Sequence, residues 1–336
     1  MTKIQWTHPP GFRGESWNVT RGCSRTVARG AGGRSECGDA QGGGCYAERD
    51  GGRWCGEGKP YEGLVRLTGK GPRWTGEVRV IEDRLLQPIR QRAPRCYFVA
   101  STSDPFHAEV SDATRDAMFA VMAVARRHRY ILLTKHGADN GSLRRYLLDP
   151  ETPLRIAEIV HGRLGPLRDA LVAGADLGAT AMALRARKLW PIPGLILGVS
   201  AGLQAAWDAR VPELLAVPAW RRVVSLEPSL EHVEPGELLS ALDWLIYGGE
   251  SGLKARPCEL LDALSFARAC DMVGVRYFFK QAGRDPRLND RQLPMLIDGH
   301  GGDLEELRPV LVDAAPADFP IDALLRREFP NLEVTP

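Results

Sequence analysis

The chain contains no apolar run of about eighteen residues or more, the length that a membrane-crossing helix needs. Residues 1–10 also lack the apolar core of a signal peptide. The sequence therefore argues against a membrane protein and against an exported one, and we expect a cytoplasmic protein. Internal repeats are absent, and low-complexity sequence is confined to the glycine-rich segment from Gly30 to Gly44.

Two common metal-site motifs are also missing. No two cysteines are separated by only about two to four residues, as they are in common zinc sites, and no paired-carboxylate motif of a two-metal nuclease is present. The chain does contain seven cysteines, an odd number. Without an export signal, this argues against a disulfide framework and for reduced thiols with metal-binding or catalytic roles.

Three of the cysteines share one glycine-rich loop. Cys23, Cys37 and Cys45 lie in a segment that ends in the sequence CYAER at residues 45–49. Three thiolates from one loop can hold a metal centre and leave one valence open for chemistry. With Cys55 the set becomes four thiolates, which is the ligand set of a closed zinc site. An open three-thiolate centre, a zinc site and no metal are therefore three alternatives, and either Cys37 or Cys55 could be the remaining ligand.

The net charge is only +2, but it is unevenly distributed. Residues 1–100 carry 17 Lys and Arg against 10 Asp and Glu, whereas the rest of the chain carries 27 against 32. This basic part of the chain includes the cysteine loop. Such a bias suits an anionic partner, namely DNA or a nucleotide, although dispersed arginines also occur on ordinary solvated surfaces.

Short apolar runs recur along the chain, and most are followed by a helical pattern. Such runs are typical of strands that are buried on both faces of a parallel sheet. Helical periodicity predicts a helix over residues 112–125, with Ser111 as its N-cap, and a later helix with Leu260, Leu264 and Ala267 on one face. The expected strands are residues 17–19, 78–81, 97–100, 130–133, 195–199, 222–226, 244–247 and 276–279.

This alternation predicts an α/β fold of repeated βα units. Since up to eight strands are expected and polar residues follow many of them, we expect a partial or full (β/α) barrel. The barrel domain is expected over residues 1–283, with a helical insertion at 136–192 that lies on the functional face as a lid. Residues 284–336 are expected to form an acidic extension, mostly loop, to which we assign no chemistry.

In a barrel, the polar residues that follow the strands meet at one face. Their simple approach to solvent is an alternative reason for their polarity. That alternative explains four ionised groups less well, because charges beside buried strands need partners or a ligand. These four are Lys135, Glu227, Glu250 and Lys280. The strand-end residues are Ser101, Ser103, Asp104, His107, Thr134, Lys135, Ser200, Glu227, Glu250, Ser251, Lys280 and Gln281.

Several sequence blocks occur in an order that resembles a known family. They are WNVTRGC at 17–23, CYAE at 45–48, STSDPFH at 101–107, LTK at 133–135, LGVS at 197–200, SLEP at 225–228, GGESG at 248–252 and FFKQ at 278–281. Together they resemble the phage-associated three-Cys-motif family, which is similar to radical S-adenosylmethionine (SAM) enzymes. The resemblance implies that the expected partial or full (β/α) barrel is of the radical SAM type. The resemblance covers roughly residues 3–283.

The cysteine spacing departs from that family. Its second and third cysteines usually lie close behind the first, whereas thirteen and seven residues separate Cys23, Cys37 and Cys45. The inserted residues are rich in glycine and can loop out without moving the thiolates, because loop closure grows costlier only slowly with length. The motifs therefore identify Cys23 and Cys45 as ligands more specifically than they identify Cys37.

The resemblance implies a [4Fe-4S] cluster on Cys23, Cys37 and Cys45, with one open iron that binds the amino and carboxylate groups of SAM. An electron passed into the sulfonium then yields methionine and a 5′-deoxyadenosyl radical, which abstracts hydrogen from a substrate. The residues expected to contact these cofactors are Tyr46, Ser101, Ser200, Glu227, Gly248, Gly249, Glu250 and Lys280. The catalytic candidates are Asp104, His107 and Lys135, of which the first two suit a proton-handling pair or a substrate clamp.

Alternatives stand beside several of these roles. Glu250 is expected to receive the ammonium or ribose hydroxyls of SAM, or else to be an exposed glutamate in a tight turn. Tyr46 covers the adenine or the cluster, or is an ordinary packing aromatic. Lys135 and Lys280 neutralise a carboxylate or phosphate, or form ion pairs with Glu227 or Glu250.

The sequence therefore favours a radical SAM enzyme of unknown reaction. The phage setting of the similar family and the basic N-terminal part point to a nucleobase in phage DNA as substrate, in the cytoplasm of a bacterium that carries the phage. The alternatives are a zinc-holding nucleic-acid-binding protein, for which the run RRHR at 126–129 also speaks, and a protein without radical chemistry that acts only with a protein partner encoded nearby.

Overall fold

In the computed structural model, seven parallel strands form one curled sheet. The structure describes residues 4–40, 43–162, 176–252, 254–294 and 304–334. The strands are β1 (Arg13–Trp17), β2 (Thr20–Arg21), β3 (Val65–Thr68), β4 (Gly71–Trp74), β5 (Arg79–Val80), β6 (Arg95–Val99), β7 (Arg129–Thr134), β8 (Leu195–Ser200), β9 (Arg221–Leu226), β10 (Trp244–Gly248), β11 (Cys258–Glu259), β12 (Arg276–Gln281), β13 (Pro286–Leu288) and β14 (Arg291–Gln292).

Helices follow most strands of the main sheet. Short 3-10 helices cover Gln5–Thr7 and Gly236–Ala241. The α-helices are α1 (Tyr46–Gly52), α2 (Glu82–Leu85), α3 (Gln87–Arg90), α4 (Asp112–Val124), α5 (His136–Asp139), α6 (Ser142–Leu148), α7 (Thr152–Gly162), α8 (Leu177–Arg185), α9 (Gln204–Leu215), α10 (Leu260–Val273), α11 (Leu304–Ala314) and α12 (Ile321–Leu324). None of the helices in the described ranges is long and apolar enough to cross a membrane.

The order of the main sheet is β1-β6-β7-β8-β9-β10-β12, and every neighbouring pair is parallel. The sheet curls into a half-barrel, so the expectation of a partial barrel is confirmed and that of a full barrel is wrong. Seven of the eight expected strand positions fall in or beside this sheet. The first strand ends at Trp17, earlier than expected.

The expected strand at residues 78–81 is not part of the barrel. Its core, β5, pairs antiparallel with β2 in a separate two-stranded sheet beside the cysteine loop. Its two residues are exposed rather than buried on both faces. The short apolar run at residues 78–81 therefore predicted a strand correctly, but it did not predict the sheet in which that strand lies. Periodicity and composition do not specify which strand is the partner.

The two faces of the half-barrel are packed differently. The outer face joins the helices in the main core, for example through Tyr97 and Val99 of β6. The inner face forms a second apolar cluster that includes Phe98 of the same strand, and the 3-10 helix with Trp6 packs into it. Since side chains alternate between faces, every second residue of each strand points into the half-barrel. This alternation carries the polar residues at the strand ends into the same interior.

The helical segment at 136–192 differs from the expected lid. Its helices α7 and α8 pack on each other and on α4, and Ile156, Val160 and Leu184 are buried in the main core. Helices α7 and α8 therefore form an outer helical layer, held there by their apolar faces. Residues 163–175 of the insertion lie outside the described residues.

The expectation that residues 284–336 are mostly loop holds only in part, because about half of the described residues of this segment lie in helices and strands. They contain β13, β14, α11 and α12. Backbone bonds join this segment to the edge strand β12: the Phe279 amide donates to the Arg326 carbonyl at 2.7 Å, and the Glu328 amide to the Tyr277 carbonyl at 2.9 Å. The segment thus covers an exposed sheet edge. Residues 295–303 and 335–336 lie outside the described residues.

The two helices predicted by periodicity are confirmed. Helix α4 begins after Ser111, whose side chain accepts a hydrogen bond from the Thr114 amide at 3.2 Å, as expected of an N-cap. Helix α10 buries Leu260, Leu264 and Ala267 together. Local periodicity and capping were sufficient here because both act within one or two helical turns.

Candidate functional site

A cavity of about 350 Å³ lies at the carboxyl end of the parallel strands, where the inner residues of the half-barrel meet the cysteine loop. Its floor is apolar and includes Trp6, Phe98 and Leu133. The strand-end residues were expected to share one face, and most of them do. Those that line the cavity are Ser101, Ser103, Asp104, Thr134, Lys135, Ser200, Glu227, Glu250, Ser251, Lys280 and Gln281. Tyr46 and Gly249 line it as well, whereas His107 and Gly248 do not.

Cys23, Cys37 and Cys45 all line this cavity, and each is half-buried. Burial raises the pKa of the Cys23 thiol, and Asp104, Cys37 and Cys45 raise it further. Burial followed by Cys37 likewise raises the pKa of Cys45. Cys37 is therefore near enough to Cys23 and Cys45 to oppose the ionisation of both, as expected of a set that a cationic centre would hold together.

The sulfur donors fit an iron–sulfur cluster by their chemistry, since such clusters are held by cysteine thiolates. Within the described ranges, no three His, Cys, Asp or Glu side chains are arranged to hold a single metal ion. What the structure provides is three separate thiols around one cavity. The identity of a bound centre stays a prediction.

Cys55, the other candidate ligand, does not line the cavity. Its Sγ donates to the Gly52 carbonyl at 3.3 Å, and the side chain packs beside the β3–β4 hairpin. Cys37, in contrast, acts electrostatically on both Cys23 and Cys45. Cys37 thus shares the cavity with Cys23 and Cys45, whereas Cys55 shares with them only the apolar cluster beside the hairpin.

Two buried carboxylates hold the cysteine loop in place, and sequence reasoning identified neither of these contacts. Glu48, only 1% exposed, accepts from Arg25 at 2.7 Å and from the Trp74 amide at 3.0 Å. This ion pair links the segment after Cys23 to helix α1, which begins directly after Cys45. Two of the three cysteines are therefore fixed relative to each other by one buried contact.

Glu250 is the second of these carboxylates. It is 5% exposed, so the alternative of an exposed glutamate in a tight turn is wrong. Arg256 donates to both of its oxygens, at 3.0 and 3.1 Å, and the Gly44 amide donates to Oε1 at 3.0 Å. Arg256 also donates to Asp39 at 2.9 Å. Glu250 thus anchors the loop next to Cys45, and its expected contact with SAM stays a prediction.

The glycine pair before Glu250 has a packing reason. A Cβ on Gly249 would lie 2.2 Å from the Ala282 carbonyl oxygen, and one on Gly248 would lie 3.0 Å from Glu227 Oε1. Only glycine allows the two chain segments to approach this closely. The pair therefore shapes the wall that carries Glu250, independently of any role in cofactor binding.

Replacing Gly249 with alanine should destabilise the protein by about 1–3 kcal/mol, because the new methyl group overlaps backbone atoms that cannot rotate away. Denaturant unfolding would measure the loss. Gly69→Ala is the matched control, since a Cβ there meets no atom within 4 Å. Equal stability of the two variants would contradict the close approach.

Asp104 was expected to handle protons with His107, but the structure gives the two residues different partners. The Asp104 carboxylate accepts from the Thr134 hydroxyl at 2.8 Å and from the Lys135 and His136 amides at 2.9 and 3.0 Å. It is a buried brace for the turn after β7. These donors occupy the carboxylate, so Asp104 holds the turn after β7 rather than the His107 ring, and the catalytic role expected of the two residues stays a prediction.

His107 lies near a different histidine. Its Nε2 is 2.8 Å from the Ser24 hydroxyl, and its ring stacks edge-on with that of His136, with centroids 4.5 Å apart. Burial and His136 lower the pKa of His107, so it is neutral near pH 7. His136 Nε2 also lies 3.5 Å from Cys23 Sγ. His136 was missed in the sequence because a single histidine after a strand carries no motif.

Lys280 and Glu227 form an ion pair at 2.5 Å, which confirms one of the two alternatives given for these residues. Tyr46 is 45% exposed at the cavity rim, and its hydroxyl donates to the Ser101 carbonyl. The Ser200 carbonyl accepts from Arg210 at 2.7 Å. These contacts give the wall a defined shape, and none of them excludes a ligand contact.

Lys135 differs from Lys280, because its Nζ has no hydrogen-bond or ion-pair partner in the part of the chain that the structure describes. Burial disfavours its charge, but Cys37, Glu36 and Cys45 hold the pKa of Lys135 above its ordinary value. It is therefore a cation that faces the thiols from the end of β7.

Fold and site together define an α/β half-barrel protein with a thiol-lined cavity at the carboxyl edge of its sheet. The chain belongs to the family described as a protein of unknown function (DUF5131), whose match covers residues 1–301. No curated protein and no solved structure matches the chain.

Proposed function

We propose that the protein is a radical SAM enzyme that holds a [4Fe-4S] cluster on Cys23, Cys37 and Cys45. One observation carries the proposal: the three thiols and the unpaired Lys135 line one cavity at the carboxyl edge of a parallel half-barrel. Ligand sites in βα folds lie at this edge. When bound, the cluster supplies the electron that cleaves SAM.

The chain's own residues serve this chemistry by holding and shielding the cavity. The Arg25–Glu48 and Arg256–Glu250 pairs fix the cysteine loop, so the thiols are preorganised. The charge of Lys135 would offset the negative charge that Cys37 and Cys45 carry as cluster thiolates. The apolar floor limits the access of water, which would quench a reactive intermediate.

The proposed substrate is a nucleobase in DNA. Support comes from the basic N-terminal part of the chain and from the β3–β4 hairpin, which packs on α1 beside the cysteine loop. Arg66 and Lys70 of this hairpin are exposed. Exposed cations of this kind attract a phosphate backbone at low salt.

Anaerobic purification should give a brown protein with about four irons and a similar amount of sulfide per chain. Reduction in the presence of SAM should then release 5′-deoxyadenosine. Stoichiometric zinc without iron would remove the proposal and favour a zinc-holding nucleic-acid-binding protein. An intact cluster that never releases 5′-deoxyadenosine would instead favour a protein that acts only with a partner.

A further inference from the structure

His136 lies between the end of β7 and the cysteine loop, in contact with the first of the three thiols. Its imidazole is half-buried and lines the cavity. The Nε2 atom is 3.0 Å from the Ser24 carbonyl oxygen and 3.5 Å from Cys23 Sγ. One ring nitrogen therefore faces both a proposed cluster ligand and the backbone beside it.

The Ser24 carbonyl determines which partner is the donor. A carbonyl oxygen can only accept, so the hydrogen bond at 3.0 Å requires that His136 Nε2 carries a hydrogen. The same N–H is available to Cys23 Sγ, and 3.5 Å is a hydrogen-bond distance for an acceptor as large as sulfur. Once Cys23 is ionised as a ligand, its thiolate carries a full charge and is the stronger of the two acceptors.

The backbone of His136 is held in place independently of its ring. The Asp104 carboxylate accepts from the His136 amide at 3.0 Å and from the Lys135 amide at 2.9 Å. Asp104 also accepts from the Thr134 hydroxyl at 2.8 Å, and that hydroxyl oxygen in turn accepts from the Gly137 amide at 2.8 Å. This network fixes the turn after β7, and the turn determines where the imidazole lies.

A second histidine packs against this ring without reaching the thiol. The His107 and His136 rings lie edge-on with their centroids 4.5 Å apart. Because His107 Nδ1 accepts from the Glu109 amide at 3.2 Å, its Nε2 carries the hydrogen and donates to the Ser24 hydroxyl at 2.8 Å. In the described part of the chain, His107 makes no hydrogen bond to a cysteine.

Cys23 also has electrostatic surroundings that differ from those of the other two thiols. The Lys135 ammonium is held in its charged form by Cys37 and Cys45, so it serves these two. The Asp104 carboxylate, in contrast, raises the pKa of Cys23, which means that it disfavours the ionised form. Among the described residues, His136 is the side chain whose hydrogen bond reaches Cys23 Sγ.

We propose that His136 is a positioning residue that donates an N–H···S hydrogen bond to the Cys23 thiolate and thereby raises the reduction potential of the cluster. The inference rests on the proposed function, because it concerns a cluster held by Cys23. One added electron, taken from an external reductant, makes the cluster and its thiolates more negative, and no bond forms or breaks. A donor to a ligating sulfur stabilises this reduced form more than the oxidised one.

The test is a redox titration of the anaerobically prepared full-length protein without SAM, followed by visible absorption and electron paramagnetic resonance. His136→Leu removes the donor, whereas His136→Gln keeps an amide N–H that can reach the position of Nε2. His107→Phe is the matched control, since it keeps an aromatic ring against His136 and removes no hydrogen bond to a cysteine.

We expect His136→Leu to lower the equilibrium constant for one-electron reduction by about tenfold, which corresponds to a potential about 59 mV more negative. His136→Gln and His107→Phe should stay close to the wild-type potential. An unchanged potential in His136→Leu, or an equal shift in His107→Phe, would overturn the inference and leave the enzyme proposal standing.

Iron content, measured on the same samples, separates the remaining outcomes. Iron lost from His136→Leu and His136→Gln alike would make His136 a ligand rather than a donor, and would overturn the inference. Iron lost from His136→Leu but kept in His136→Gln at the wild-type potential supports it. Zinc without iron in the wild-type protein overturns both proposals. The expected shift in a protein that never releases 5′-deoxyadenosine supports the hydrogen bond while the radical chemistry fails.

Discussion

Arg256→Met should lower the free energy of unfolding by about 3–5 kcal/mol, because it leaves buried carboxylates without their guanidinium. Arg256 is 7% exposed and donates to Glu250 and Asp39, whose side chains are 5% and 3% exposed. Removing one member of a buried ion pair costs far more than removing an exposed pair. Denaturant unfolding near neutral pH measures this loss.

Arg287→Met is the control for this substitution. Arg287 pairs with Asp285 at 3.1 Å with both side chains partly exposed, so its loss should cost less than about 1 kcal/mol. A similar cost for the two variants would mean that the Arg256 contacts do not stabilise the fold as a buried pair.

The same variant should also loosen the cysteine loop. Arg256 donates to the Ser35 carbonyl at 2.8 Å, and its partner Glu250 receives the Gly44 amide, so the contacts flank Cys37 and Cys45 on both sides. We expect faster amide hydrogen exchange at Gly44 in Arg256→Met but not in Arg287→Met. Unchanged exchange at Gly44 in Arg256→Met would show that Arg256 stabilises the fold without anchoring the cysteine loop.

The half-barrel could be predicted from the sequence because its signal is local. Continuous apolar runs predict strands that are covered on both faces. Strand β8 is an example, because it is buried along its whole length. Side-chain alternation then places the polar residue at the end of a run, as with Ser200 of β8, two residues after Gly198. The expected strand at residues 78–81 was assigned to the wrong sheet. Its partner, Thr20–Arg21, is distant in the sequence, and a two-residue strand does not itself specify its partner.

The contacts that hold the site together could not be predicted in the same way. Glu36 and Arg210 are 174 residues apart, and Asp39 and Arg256 are 217 apart. Both pairs depend on the cysteine loop crossing the open end of the sheet, which no periodicity encodes. The sequence offered one signal for the Glu36–Arg210 pair, namely a glutamate directly before Cys37. A carboxylate beside a cysteine that is expected to be buried needs a partner of opposite charge.

The protein partners of Asp104 and Glu250 could not be predicted from the sequence for a related reason. Both follow strands at the cavity, and both are buried acceptors whose oxygens are taken by backbone amides or by Arg256. A sequence shows that a carboxylate stands at a strand end, but not whether the protein itself fills its hydrogen bonds. Glu36, which was not predicted, differs in that its buried Oε2 has no hydrogen-bond partner among the described residues.

Alanine at Cys23, Cys37 or Cys45 should each abolish the iron–sulfur cluster, with iron falling from about four per chain to near zero. A cluster held by only three thiolates loses one of its few protein bonds when any of them is removed. All three line the cavity, and Cys37 lies close enough to affect the ionisation of the other two. Iron and sulfide analysis with visible absorption spectra measures the outcome.

Cys55→Ala provides the matched control, because Cys55 lies in the same part of the chain but outside the cavity. It should keep the cluster. The reverse pattern, with iron lost in Cys55→Ala and kept in Cys37→Ala, would exchange the third ligand and require the hairpin side of the loop to turn inward. Loss of iron in all four variants would indicate a four-thiolate centre, which leaves no open iron for SAM. The four variants together therefore test both which thiols hold the centre and whether it has an open iron for catalysis.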